Sequence, residues 1–429
     1  MKKVKTMKLE EHQQRLLKFL KYTVLSLFGA SFIGMVLLVL VNFLPLDRIR
    51  FNVKASLPVF EREGEIFNWA PDNSFAYCDN FTDALMLNTA SFKTDESYLK
   101  RALMDYRFQS EKPYASQVES LTESMNSDVI SSKNSLEYSR YWHGYLLWLK
   151  PLLSVFNYQE IRIINMMFQF IMLIVVLKEL NDRCGLKYTI AFLTAIFMIC
   201  PITTAMCMQL SAVYYVTLFS CLFILKKDKE TMNKGWRILL WTGIATSFFD
   251  LLTYPLVSLG IPLILLLICN KESIVKRIQM MIAGSAAWGI GYFGMWILKW
   301  VYAYLFTGYN TIQNAMENLE VRTGSDLVYS RTEIIQINFD QLNIQPFQFM
   351  LLIFALFIAF RMWKYRKKFK LNISSLSILL IGIYPIVWYI VLANHSMIHY
   401  WMTYRDMIVS IFAIEIVLLE NITNRRKKI

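Results

Sequence analysis

Apolar residues arrive along this chain in long windows, separated by short clusters of Lys, Arg, Asn and Ser. A hydrocarbon core about 30 Å thick is crossed by about 20 apolar residues at 1.5 Å per residue. Ten windows meet or approach that length: 23–46, 160–180, 188–206, 208–225, 237–253, 255–270, 278–305, 346–363, 374–393 and 402–420. The pattern predicts an all-α polytopic membrane protein with about ten transmembrane helices. The first window ends in Pro45-Leu46-Asp47-Arg48 without a small-x-small cleavage site, and reads as an uncleaved anchor. Pro201, Gln209 and Tyr254-Pro255 divide the third to sixth windows into hairpin-like pairs.

Between the first two windows lies the longest non-membrane stretch. Its opening, with Pro58, Gly64 and Pro71, reads as extended or irregular chain. From Phe81 the text turns helical, in TDALMLNTA and again in SYLKRALMDYRF, where Leu99, Leu103 and Tyr106 recur at helical spacing. Ser120 to Glu137 is Ser-rich, polar and reads as mobile. SRYWHGYLLWLKPLLSVF, Ser139 to Phe156, is too short and too interrupted to span. Its Trp, Tyr and Lys content suits a helix lying at an interface.

Composition and charge turn this pattern into a sided topology. Of 429 residues, 55% are hydrophobic and only 18% charged, below the roughly one quarter of a soluble domain. The net charge is +13, yet 28 of the 45 Lys and Arg fall in six short segments on one predicted side. These hold seven in 1–22, three in 178–187, five in 226–237, three in 271–277, six in 361–370 and four in 425–428. The positive-inside rule places those segments and both termini in the cytoplasm of a plasma-membrane protein, and the basic charge becomes a topology signal instead of a nucleic-acid signal. The predicted layout is a cytoplasmic basic tail (1–22), a first transmembrane helix (23–46) and an extracytoplasmic loop with interfacial helices (47–159). Transmembrane helices 2–7 (160–306), a second extracytoplasmic loop (307–345), helices 8–10 (346–420) and a basic cytoplasmic tail (421–429) follow. Cys184, Cys200, Cys207, Cys221 and Cys269 lie in or beside windows, leaving Cys78 alone in the long loop, so no disulfide framework is expected.

Four polar constellations fall on the predicted outer side. Asp79 and Asp83, four residues apart, share a face if a helix begins at Asp79, which would cap it; either acid is a candidate general base. Asp250, with Thr253 and Tyr254, interrupts an apolar window, where an ionisable residue costs about 2.5–3.5 kcal/mol and calls for a cavity or a partner. His395 and His399, followed by Tyr404 and Arg405, gather donors suited to an anionic head group. Arg140 to His143 opens the interfacial segment. No phosphate-loop, dinucleotide, zincin or nucleophile-elbow motif occurs in these regions. A group to be transferred must therefore arrive on an activated donor.

The first window, the long loop with an early acidic motif, and RYWHGYLLWLKPLLSVFNYQEIRIINMMF, Arg140 to Phe168, resemble the GT-C superfamily of polyprenyl-phosphate-sugar-dependent glycosyltransferases, in its protein mannosyltransferase-like and aminoarabinose-transferase-like branches. His143 and Arg162 match that segment, and the likeness continues through Pro201, Gln209 and Tyr215 to TSFFDLLTYPLVSLGIPLILL. The resemblance implies that Asp79, or Asp83 in its place, deprotonates an acceptor hydroxyl. Asn80 stands where a second acid is common. It further implies a polyprenyl-phosphate sugar donor held near His395, His399, Tyr404 and Arg405, with His143, Asp250 and Tyr254 lining the cavity. The acceptor would be an extracytoplasmic glycan, lipid or protein. No cofactor is assigned and a divalent cation is left open. Two rivals remain: a transporter or flippase for a lipid-linked or anionic substrate, and a non-catalytic polysaccharide-assembly protein.

Overall fold

The computed structural model describes residues 2–126, 134–228, 234–270, 272–324, 328–364, 367–370 and 372–424. It is an assembly of helices with, among the described residues, three two-stranded antiparallel ribbons. Six helical segments among the described residues are long and apolar enough to cross a membrane: Leu17–Val41, Tyr158–Cys184, Met208–Lys226, Ile274–Thr307, Gln345–Lys364 and Ile373–Val391. Leu186–Met198 and Leu256–Cys269 are shorter apolar helices.

Helix α1 (Lys2–Val41) leads into α2 (Leu46–Glu63), where the sequence read irregular chain. Ile49, Val53, Leu57 and Phe60 form one buried face of α2, while Pro58 and Lys54 are exposed. Proline removes the bond to the carbonyl four residues earlier, and here that carbonyl is on the exposed face, so the helix passes through. Strands β1 (Ile66–Asn68) and β2 (Tyr77–Asp79) pair antiparallel and deliver the chain to α3 (Asn80–Ser91). Helices α4 (Tyr98–Met104) and α5 (Gln117–Asn126) follow, and β3 (Arg107–Phe108) pairs with β4 (Ser135–Leu136). The stretch read as mobile is therefore helical at its start, and residues 127–133 lie outside the described residues. The expected interfacial helix is reduced to α6 (Leu146–Leu153), because 139–145 are folded back in turns.

Helix α7 (Tyr158–Cys184) opens with a capping box between Asn157 and Glu160. Then come α8 (Leu186–Met198), α9 (Pro201–Met206), α10 (Met208–Lys226), α11 (Gly235–Phe249), α12 (Leu256–Cys269) and α13 (Ile274–Thr307). The polar stretch after α13 folds as α14 (Thr311–Thr323) and α15 (Arg331–Asp340), ahead of α16 (Gln345–Lys364). The chain closes with α17 (Leu376–Ile381), α18 (Tyr384–Val391), α19 (Ala393–Ile398), α20 (Tyr400–Thr403) and α21 (Ile408–Asn421). Strand β5 (Lys367–Phe369) pairs with β6 (Ile422–Asn424) and ties the end of α16 to the end of α21.

Two apolar cores hold these helices. One joins α7, α8, α10, α12 and α21. The other joins α1 to α6 with Leu240, Ile244 and Phe248 of α11 and Ala287 and Met295 of α13. Helices α11 and α13 touch through glycines: a Cβ on Gly243 would lie 2.2 Å from the Trp288 carbonyl oxygen, and one on Gly291 would lie 2.4 Å from that of Leu240. Small residues let apolar helices approach to backbone contact, the packing that operates where no hydrophobic drive separates helix from lipid.

Candidate functional site

Asp79 and Asp83 fall in a buried polar network that locks four helices together. Asp79 caps α3, accepting from the Thr82 backbone N–H (3.1 Å) and hydroxyl (2.6 Å), and also from Gln209 Nε2 (2.5 Å). One turn on, Asp83 accepts from the Met208 and Gln209 backbone N–H groups (2.9 and 3.2 Å), satisfying the first donors of α10, and from the Tyr158 hydroxyl (2.5 Å). Asn80, between them, accepts from Arg162 Nη2 (2.7 Å) and donates to Glu63, which pairs with Arg162 Nη1 at 2.7 Å. Burial pushes both carboxyls above the ordinary aspartate range, Asp83 to about 6. Glu63 and Tyr158 were not singled out in the sequence, because the contacts that recruit them span 75 to 99 residues.

A separate cavity of about 290 Å3 opens where the ends of α13, α14 and α18 meet the 139–145 turn. Its walls are aromatic: Tyr141, Phe293, Trp296, Trp300 and Trp388, with Leu252 and Leu392. Trp296 and Trp300 stand one turn apart on α13 with their rings 27° from parallel. Two guanidinium groups reach the same space. Arg140 donates to Asn314 Oδ1 (2.6 Å) and lies 4.9 Å over the Tyr138 ring, and its backbone carbonyl accepts from Trp300 Nε1 (2.9 Å). Arg322, on the last turn of α14, lies 5.9 Å over the Tyr141 ring. Neither has a carboxylate within ion-pair distance among the described residues. The indole N–H groups of Trp296 and Trp388 and the Arg140 Nε are buried without a partner among the described residues. A site with flat aromatic faces, uncompensated cations and spare donors suits an anion carried on a ring or chain.

Of the four predicted constellations, the Arg140–His143 turn lines this cavity through Arg140 and Tyr141, and His395 lies behind its wall residues Arg322 and Leu252. His395 accepts through Nδ1 from Arg322 (3.3 Å) and donates through Nε2 to the Leu252 carbonyl (3.0 Å), a tautomer assigned from those partners. His399 lies 4.8 Å from the His395 ring. Burial, reinforced by the Arg322 charge, lowers both imidazoles, His399 to about 4, so both are neutral near pH 7. Asp250 turns on itself, accepting from the Thr253 N–H (3.0 Å) and hydroxyl (2.5 Å). His143, left-handed at φ +51°, is held between the Tyr145 hydroxyl and the Tyr138 carbonyl, each at 2.9 Å. The turn it belongs to is pinned by Gly144, whose N–H donates to the Phe248 carbonyl at 2.9 Å. A Cβ there would lie 2.4 Å from that oxygen.

Tyr254, Tyr404 and Arg405 stand elsewhere, inside the larger core. Arg405 is fully buried and donates to the carbonyls of Ile199 (2.9 Å), Trp401 (2.9 Å) and Phe75 (3.3 Å). The Tyr254 hydroxyl donates to the Leu210 carbonyl (2.5 Å), and that of Tyr404 has no partner among the described residues. The positive charge that the sequence located at His395, His399 and Arg405 is thus met at the cavity by Arg140 and Arg322. The Trp296 and Trp300 spacing in WILKW was visible in the sequence, but not which side of α13 faced a cavity. Among the described residues no group of three or more His, Cys, Asp or Glu is arranged to hold a metal.

No family model, curated protein or solved structure matches the chain.

Proposed function

We propose that the protein is an integral membrane glycosyltransferase that takes a lipid-linked sugar phosphate at the Trp- and Arg-lined cavity and passes the sugar to an extracytoplasmic acceptor. The observation that carries this reading is the pairing of Arg140 and Arg322, both free of carboxylate partners among the described residues, with three tryptophans around one space. Sugar rings present C–H faces to indoles, and a phosphate takes forked donation from guanidinium. The bilayer is the environment of the six long apolar helices. The reading includes ten membrane crossings, with α8–α9, α11, α12 and the 404–421 segment as the shorter ones, and places the cavity on the outer side.

In this reading a carboxylate takes the proton of the acceptor hydroxyl, the hydroxyl oxygen bonds to the anomeric carbon, and the sugar–phosphate bond breaks with its electrons leaving on phosphate. Arg140 and Arg322 offset the charge that develops there. Asp79 and Asp83 are the acids the family resemblance points to, and Asp250 stands two residues before Leu252 of the cavity wall. The test is a donor titration of the purified protein in nanodiscs, read by tryptophan fluorescence, with wild type, Arg140→Ala and Arg322→Ala. Each variant is expected to weaken donor binding about tenfold or more, the loss of a charge-assisted bond. Unchanged affinity in both removes the cavity as the donor site. Sugar release by Asp79→Asn, Asp83→Asn and Asp250→Asn then identifies the base, whose loss costs about 10²- to 10⁴-fold. Equal turnover in all three and wild type, or donor movement across the bilayer without sugar release, favours the transporter reading.

A further inference from the structure

A second recess runs along α10 on the side facing α11, apart from the cavity. One half, about 360 Å3, lies against α6 and α7; the other, about 610 Å3, lies against α11 and Tyr22 of α1. The two share Val216, Phe219 and Phe249 and so form one groove. Its α10 wall follows a single helical face from Ala212 to Lys227, a run of about 22 Å at 1.5 Å per residue, most of the depth of a hydrocarbon core. The groove exists because Ala212, Val216, Ser220 and Ala245 are small where Phe219, Phe223 and Trp241 beside them are large. Those three rings are about half exposed, so the groove opens sideways into lipid and its occupant enters from the bilayer.

The two ends differ in charge. At one, Asn165 and Tyr215 satisfy each other, the hydroxyl donating to Asn165 Oδ1 at 2.9 Å. At the other stand Lys227 and Arg237, neither within ion-pair distance of a carboxylate among the described residues. Arg237 lies 4.3 Å over the Tyr22 ring with its buried Nε unpartnered among the described residues, and the N-terminus of α11 adds its partial positive charge two residues away. This end joins the Lys-rich 226–237 connection, on the side the charge count assigns to the cytoplasm.

We infer that the groove holds an acyl chain of an anionic phospholipid of the cytoplasmic leaflet, with the phosphate between Lys227 and Arg237. An apolar channel open to lipid selects a chain, and two cations at its mouth, neither paired with a carboxylate among the described residues, select a negative head group over a zwitterionic one. The inference is independent of the cavity and of any transfer reaction.

Native mass spectrometry of the full-length protein, released from detergent with phosphatidylglycerol or phosphatidylcholine, tests it. Wild type is expected to retain phosphatidylglycerol with about thirtyfold preference, about fivefold for each basic residue. The Lys227→Gln/Arg237→Gln double variant should lose that preference while keeping a chain, and Ala245→Phe, which fills the groove, should lose both lipids. A measurement on wild type alone guards against misfolded variants: its unfolding midpoint should rise in phosphatidylglycerol nanodiscs relative to phosphatidylcholine ones. Equal retention of the two lipids by wild type, or an undiminished preference in the double variant, overturns the inference.

Discussion

Single side chains in this protein are tuned chiefly by burial. His399 is held neutral, with its pKa lowered to about 4 against an ordinary 6.5. The unfolded chain takes up a proton below 6.5 while the folded one refuses it until about 4, so this stabilising contribution is complete above pH 6.5 and lost as pH falls through that window. Thermal midpoints of wild type and His399→Gln in detergent should therefore converge or cross between pH 6.5 and 4, and parallel curves would refute the assignment. Asp105 is the converse case. It is fully buried with Lys299 at 2.6 Å, and burial raises its carboxyl to about 7. Removing one member leaves a buried charge alone, at a cost of about 3–5 kcal/mol. Asp105→Ala and Lys299→Met should each lower the unfolding midpoint strongly, and the double variant should recover part of the loss. Additive losses would deny the coupling. Neither Asp105 nor Lys299 stood out in the sequence, since 194 residues separate them and no local spacing pairs them.

Among the elements, the long apolar helices were the most legible, because a run of apolar residues matched to bilayer thickness has few alternative folds. Helix α2 was hidden by Pro58, read as a break although Ile49, Val53, Leu57 and Phe60 carried a helical period. Whether proline ends a helix depends on which face loses its donor, and that face is set by what α2 packs on. The α11–α13 contact rests on Gly243 and Gly291, where a methyl group meets backbone atoms that cannot step aside. Gly243→Ala should destabilise by about 1–3 kcal/mol, the cost of overpacking, and Gly243→Leu by more. Melting curves in detergent check this, and a neutral Gly243→Leu would mean that the helices are not in contact at that point.

At the scale of the whole molecule, the charge distribution predicts one basic face and one face bearing residues 46–145. Cysteine placed at the exposed Glu61 should react with a membrane-impermeant maleimide added outside intact cells, and cysteine at Glu272 should react only after permeabilisation. The reverse pattern would invert the topology. The candidate site is also a property of the whole molecule: Arg140, Trp296, Arg322 and Trp388 come from four separate elements and meet only when the bundle closes. The sequence by itself determined the helical class and the bilayer as solvent, and gathered most of the basic residues into short segments between apolar windows, because hydropathy and charge act locally, residue by residue, against lipid and water. It also marked the Arg140–His143 turn, which lines the cavity through Arg140 and Tyr141, and His395, which reaches the cavity wall through Arg322. Only the tertiary structure decided which polar groups are already taken. Arg405 is bound to carbonyls, Asp83 to the first turn of α10 and the histidines at the cavity are neutral, whereas Arg140 and Arg322 keep guanidinium groups without carboxylate partners among the described residues. The physical reason is that a charge's availability is set by the partners and the desolvation that packing gives it, and those partners lie far away in the chain.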